Sequence, residues 1–200
     1  MSKAANTRMT ILQKSFDLIY RQGYQATSID EILATTQVTK GAFYYHFKSK
    51  EEMALALIRE HMRPEMHTIM IRPLIEAEHP MDEIYLMMTN LLQDTTFFDV
   101  KYGCPAINLI EEIAPLSETF NKALSLLMSD WKAAIVTSID KAKSRQLIKP
   151  ETNAEQVAVF IISGYGGIRN LGKIGGRSYY NSYLDQLKAY LDSLKPAIQN

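Results

Sequence analysis

The chain has 200 residues, 46% hydrophobic and 22% charged, which excludes a disordered, collagen-like or low-complexity protein and leaves room for a sizeable core. A single cysteine, Cys104, no Cys/His grouping with zinc spacing, a polar start and no apolar run near 18 residues point to a cytoplasmic chain with no disulfide, metal, cofactor or membrane span. Net charge is zero, but residues 1–50 carry seven Lys/Arg against three Asp/Glu and the remainder fifteen against nineteen, so the basic quarter is where a polyanion would be met.

Helical periodicity runs through the whole chain. Leu12, Phe16, Ile19 and Tyr20 share one face of a first helix, and Gly23 stops it. Ser28 with Glu31 reads as a capping box opening a helix of about two turns, with Ile29, Ile32 and Leu33 inward. Thr39 caps a third short helix, and Ser49 with Glu52 a fourth, long one. Pro64 is expected to kink or end that helix, and Arg72-Pro73 to end its continuation.

Further helices are expected over residues 81–97, 105–114 and 117–145, the last with apolar groups at 120, 124, 127, 131, 135, 139 and 142. Thr152 with Glu155 reads as a third capping box, for a helix to about residue 174. Ser178 is expected to cap the last, whose apolar side carries Tyr180, Tyr183, Leu184, Leu187, Leu191 and Leu194. The fold class is all-α, about nine helices, with a three-helix head over residues 1–50 and a larger helical domain over 51–200.

Residues 28–47 form two short helices joined by a three-residue turn, a helix-turn-helix. The second displays Thr39, Lys40, Gly41, Tyr44, Tyr45 and His46, groups that bond or stack. Gly41 admits a phosphate close to backbone, and Thr27 and Thr39 can reach phosphates or base edges. Lys50 sits in a first helical turn, where a cation is disfavoured unless a phosphate joins it. The competing reading is a small three-helix cap with solvated charges.

The stretch Gly23-Tyr24-Gln25-Ala26-Thr27-Ser28-Ile29, followed by Thr39-Lys40-Gly41-Ala42-Phe43-Tyr44-Tyr45-His46-Phe47-Lys48-Ser49-Lys50-Glu51, resembles the amino-terminal signature of TetR/AcrR-type transcriptional repressors over about residues 8–58. The resemblance implies a homodimer with two DNA-binding heads, a carboxy-terminal effector domain and a two-helix dimer interface. It also implies double-stranded operator DNA, a second copy of the chain and a small-molecule effector as partners. Carried over by motif position, Thr27, Ser28, Thr39, Lys40, Gly41, Tyr44, Tyr45, His46 and Lys50 are the DNA-contacting positions. Ile29, Ile32, Val38, Phe43 and Phe47 are the packing positions.

Gly167 to Ile174 nearly spells a phosphate-binding loop, but Ile174 stands where the magnesium-binding hydroxyl belongs and the preceding run reads as helix. A nucleotide-binding protein is therefore the lesser alternative, together with a helical enzyme, for which no acid-base or metal constellation exists. Small residues at helical spacing instead suit a dimer interface, expected at Ser163, Gly167, Leu171, Tyr183, Leu187 and Leu191.

Met-rich and aromatic positions on the middle helices suit an adaptable apolar pocket: Tyr85, Met87, Met88 and Leu91, then Phe97, Phe98 and Asn108, then Leu127, Trp131 and Tyr165. The same residues equally describe core. Asn108, Glu111 and Glu112 are the polar groups of the short central helix, able to orient an effector or to form ion pairs.

Cys104 also belongs to the pocket set. It precedes Pro105 at a helix start, where unpaired amides favour a thiolate. Family repressors with a similar Gly-Cys segment respond to electrophiles or oxidants, which implies Cys104 as sensor with Lys173 as the neighbouring amine. A buried cysteine acting as a small hydrophobe is the other reading.

Overall fold

A computed structural model describes residues 3–95 and 98–196. Among them every regular element is helical, as expected. We number nine helices: α1 (Lys3–Gln22), α2 (Ile29–Ala34), α3 (Lys40–His46), α4 (residues 50–76), α5 (Pro80–Gln93), α6 (Pro105–Ile113), α7 (Glu118–Ser144), α8 (Ala154–Gly175) and α9 (Arg177–Ser193).

Local chemistry sets the boundaries. Gly23, at φ 91°, ends α1 with its N–H on the Ile19 carbonyl, a conformation that L side chains avoid. The capping box of α2 is complete: the Ser28 hydroxyl accepts from the Glu31 amide while the Glu31 carboxylate accepts from the Ser28 amide. Thr39 caps α3 by accepting from the Ala42 amide. Ser49 caps α4 from the Glu52 amide, but the Glu52 carboxylate takes the Lys48 amide.

Four expectations need correction. Neither Pro64 nor Pro73 ends α4. The run passes through π turns at Ile58–Met62 and His67–Ile71, one just before each proline. There Arg63 and Arg72 donate five residues back, to Ile58 and His67. The wider turn takes up the misfit of a ring that lacks an N–H and crowds the preceding turn. The helix expected to reach residue 97 ends at Gln93. Asn153, not Thr152, caps α8 by accepting from the Gln156 amide, because it stands immediately before the helix. Gly176, at φ 70°, separates α8 from α9, so Ser178 falls inside α9 and donates to the Gly175 carbonyl.

Two compact units are present: Met1–Glu65 with Pro105–Leu127, and Met66–Cys104 with Met128–Asn200. The helix-turn-helix unit thus takes in α6 and the start of α7, a grouping that no linear cut at residue 50 expresses. Its core is Ile11, Leu12, Ile19, Ile32, Phe43, Phe47, Met53 and Leu57. In the second unit α9 packs on both α8 and α5, around Met88, Trp131, Ile135, Ile161, Tyr165, Tyr180 and Leu184. Each such side chain contributes about 1.5–3 kcal/mol of burial. All seven positions of the 120–142 row are buried.

Candidate functional site

The helix-turn-helix is assembled from opposite demands on neighbouring residues. Phe43 and Phe47 are buried and anchor α3, whereas Tyr44 and Tyr45 are 46% and 79% exposed. A tyrosine left that bare forfeits apolar burial unless another surface covers it. Thr39, Lys40 and Gly41 share the exposed side, and a Cβ built on Gly41 would meet nothing within 4 Å. Lys40 reaches Asp30 at 3.2 Å with both side chains well exposed, a pair worth little in water and easily exchanged. His46 is half-buried, with its ring edge-on to Tyr45 at 5.0 Å.

Three of the expected DNA-contacting residues do other work. Thr27 is fully buried and donates its hydroxyl to the Gly23 carbonyl at 2.7 Å. Its role is to close the loop between α1 and α2, so it is withdrawn from the contact set. Ser28 is exposed, but its hydroxyl is occupied by both the amide and the carboxylate of Glu31. Lys50, expected at a phosphate, donates to the carbonyls of Tyr24 and Thr27 at 3.0 Å and of Gln25 at 3.5 Å, and lies 4.3 Å from the Tyr24 ring centroid. A cation at the start of α4 is thereby stabilised by carbonyl dipoles and a ring face.

Two gripping residues were not legible. Arg8 forks onto Glu60 at 2.6 and 2.9 Å, donates to the His46 carbonyl at 3.1 Å and stacks 4.3 Å from the Phe47 ring centroid. It ties α1 to the end of α3 and to α4. Glu112 of α6 accepts the Tyr24 and Gln25 amides at 2.8 and 2.7 Å. Its carboxylate also lies 3.1 Å from where a Gly23 Cβ would stand, a second reason for glycine there. Glu112 holds the loop amides while Lys50 holds the loop carbonyls. No short-range pattern marks residues 52 or 88 apart as partners.

Two carboxylates of this unit titrate low. The Ser28 amide and hydroxyl, then Gln22, hold Glu31 below the ordinary range, and the bond from Arg8 does the same for Glu60. A carboxylate depressed in the folded state adds stability above its unfolded value, about 4.3, and loses it as pH falls through the lower folded value. Thermal melts should therefore lose stability below about pH 4.3, and Glu60→Gln should flatten that loss. An unchanged acid slope in the variant would remove Glu60 from the account.

The residues expected to line a pocket divide between the units. Asn108, half-buried, and Leu127, buried, belong to the first. In the second, Met87, Met88, Leu91, Cys104, Trp131 and Tyr165 are buried and Tyr85 and Phe98 half-buried; Phe97 lies outside the described residues. Trp131 and Tyr165 meet edge-on at 5.3 Å. Arg169, not expected at all, is 1% exposed among Phe98, Tyr165 and Tyr180. Burial, with Cys104 as a lesser cause, pushes the Tyr165 phenol well above its usual value. The Lys173 side chain lies over Gly103, where a Cβ would clash with its Cε, and Cys104 is 7% exposed. The loop-like run at 167–174 is plain helix inside α8, which removes the nucleotide-binding alternative.

At the expected dimer face, Ser163, Gly167 and Leu171 are exposed. Val159, Phe160 and Ile174 continue the same apolar side of α8 at 52%, 47% and 85% exposure. Tyr183 is half-buried under Gly164, and burial drives its hydroxyl up to about 12. Leu187 and Leu191 are corrected: each is 2% exposed inside its own protomer, because the apolar row of α9 is consumed by α8 and α5.

An exposed aromatic and hydroxyl face on a helix anchored from behind, at the second position of a helix-turn-helix, defines a DNA-binding transcription regulator rather than an enzyme. Residues 11–57 match the family described as bacterial regulatory proteins, tetR family, and residues 80–181 match the tetracyclin repressor-like C-terminal domain. The chain belongs to the TetR family of transcriptional regulators. It is 35% identical, over 80% of its length and 81% of the relative's, to an uncharacterized HTH-type transcriptional regulator in the lacX 3' region of Lactococcus lactis subsp. lactis. In fold it is similar to a TetR-family regulator from Cytophaga hutchinsonii, with TM-score 0.88, 20% identity and 100% and 99% of the two chains covered. It is also similar to the reduced form of NemR from E. coli, with TM-score 0.80, 20% identity and coverage of 96% and 98%. No helix among the described residues is long and apolar enough to cross a membrane.

Proposed function

We propose that the chain is a cytoplasmic, homodimeric repressor that binds a palindromic operator and leaves it when a small apolar or electrophilic effector binds. DNA contact belongs to residues 1–50, and effector binding and dimerisation to residues 51–200. The observation that carries the reading is the bare outer side of α3, where Thr39, Lys40, Gly41, Tyr44 and Tyr45 face away from a buried Phe43/Phe47 anchor. Two such helices in successive major grooves sit roughly 34–36 Å apart. The exposed apolar side of α8 supports pairing of two copies. The effector must bind the released state more tightly than the DNA-bound one, since only differential affinity moves the equilibrium.

The test is a mobility shift of the full chain on DNA upstream of its own gene. Wild-type protein is expected to retard that fragment, and Tyr45→Ala to weaken retention by about tenfold, the loss of one good base or sugar contact. Equal retention of specific and unrelated DNA, or no retention, would sink the reading.

A second trigger is favoured by Lys173 lying over Gly103 beside Cys104. An electrophile bonding to the Cys104 sulfur would place bulk at the start of α6. Cys104→Ser protein should keep operator binding and resist release by N-ethylmaleimide. Release of the variant at the wild-type dose would leave Cys104 as a packing residue.

A further inference from the structure

We infer that the second unit holds a site for a small apolar carboxylate, with the buried guanidinium of Arg169 as its anchor. The inference rests on the proposal that an effector binds this unit, and names the effector's chemistry. Arg169 donates from Nε to the Tyr165 hydroxyl at 3.2 Å and from one terminal nitrogen to the Tyr180 hydroxyl at 3.3 Å. The other terminal nitrogen donates to the Leu91 carbonyl. Rings of Phe98, Tyr165 and Tyr180 stand 5.1, 5.4 and 5.5 Å from its central carbon.

Every one of these partners is neutral. A guanidinium cannot shed its proton, so the cation is held out of water with only dipoles and ring faces around it, a costly arrangement that an anion relieves. Among the described residues three of its five N–H groups are placed and two remain. Trp131 adds a buried indole N–H with no acceptor among the described residues, on a ring that meets that of Tyr165. A buried donor left over in this way is satisfied by a ligand that brings an acceptor.

The same Leu91 and Phe98 that meet Arg169 also line a recess of about 340 Å³, together with Ile69, Asn90 and Asp94. Ile69, Leu91 and Phe98 suit the hydrocarbon part of a small molecule. The carboxylate turns towards Arg169, whose two remaining N–H groups can take it as a fork. Phe98 touches both the recess and the cation.

The experiment titrates the full chain with benzoate and octanoate, and with benzamide and octanamide as neutral counterparts. Binding is read from the fluorescence of Trp131, the only tryptophan in the sequence, and from thermal shift. Both acids are expected to bind at least about tenfold more tightly than their amides, the effect of one charge-assisted contact. Their binding should fade as pH drops below about 4.3, near an ordinary carboxylate value. Arg169→Gln should abolish the preference and Arg169→Lys should keep part of it; the acid-against-amide comparison in wild type stands even if a variant fails to fold. Amides that bind as well as acids, or acids that change neither signal, overturn the site. Operator shifts on the same sample separate the two layers. DNA binding without an acid response removes only the carboxylate site, whereas acid binding without DNA binding removes only the repressor reading.

Discussion

Glu112→Gln should weaken operator binding by about ten- to a hundredfold and lower the melting temperature by several degrees. The carboxylate accepts two backbone amides of the α1–α2 loop, at 2.8 and 2.7 Å. A hydrogen bond to a charged group contributes about 1.5–3 kcal/mol, and about 1.4 kcal/mol is tenfold in an equilibrium. The glutamine amide has one oxygen to offer and would turn its own N–H groups towards the second donor. The loop would keep Lys50 on its carbonyls but lose half the grip on its amides. Thr27 and Ser28, which close the loop and cap α2, would then be free to shift, and α3 is positioned through α2. Binding isotherms on the operator fragment with parallel melts decide the matter. Wild-type affinity in the variant would show that α6 does not hold the head in its DNA-competent form.

Gly167→Glu should convert a dimer to monomers at micromolar concentration while leaving helix content unaltered. A Cβ at Gly167 meets nothing within 4 Å in the protomer, and replacing glycine inside a helix favours the helix by about 0.5–1 kcal/mol. The protomer should therefore tolerate the change. Across a twofold interface each substitution meets its own copy or near neighbours of it, and juxtaposed like charges cost several kcal/mol. Light scattering should show the mass halved, and operator affinity should fall because paired half-sites no longer bind as one unit. Leu187→Ala is the contrast. That side chain is buried in its own protomer, so its loss should cost roughly 2–5 kcal/mol of stability and leave the mass unchanged. If Gly167→Glu remains dimeric, the pairing surface lies away from α8.

What the sequence reveals depends on the range of the interaction. The α2 capping box is written within four residues and stands in the structure bond for bond. The apolar row from 120 to 142 shows its period plainly, and every member is buried. Residue type alone misleads for Thr27 and Lys50. A hydroxyl or ammonium beside a DNA-reading helix suits a phosphate and a loop carbonyl equally, and only the path of the chain decides between them. The apolar stripe of α9 announces that Leu187 and Leu191 are covered, but not whether by the same protomer or another. Arg8 with Glu60, and Glu112 with the loop amides, are joined only by tertiary folding across 52 and 88 residues. The local rule for proline holds for a regular helix and not for α4, whose turns widen before Pro64 and Pro73.

Those widened turns give α4 a different arithmetic. In a regular helix a step of four residues overshoots a full turn by about 40°, so side chains spaced by four wander around the cylinder. A turn closed five residues back holds more residues and swings the phase the other way. In the first unit Ala54, Ile58 and Met62 are all buried, and in the second Met66, Met70 and Leu74, each triplet stepping by four around or into a π turn. The expanded turns thus act as phase correctors. Deleting one residue inside either of them would restore ideal pitch while leaving the side chains beyond it on nearly the same face, because a turn closed four residues back then sweeps the arc that the wider turn sweeps with five.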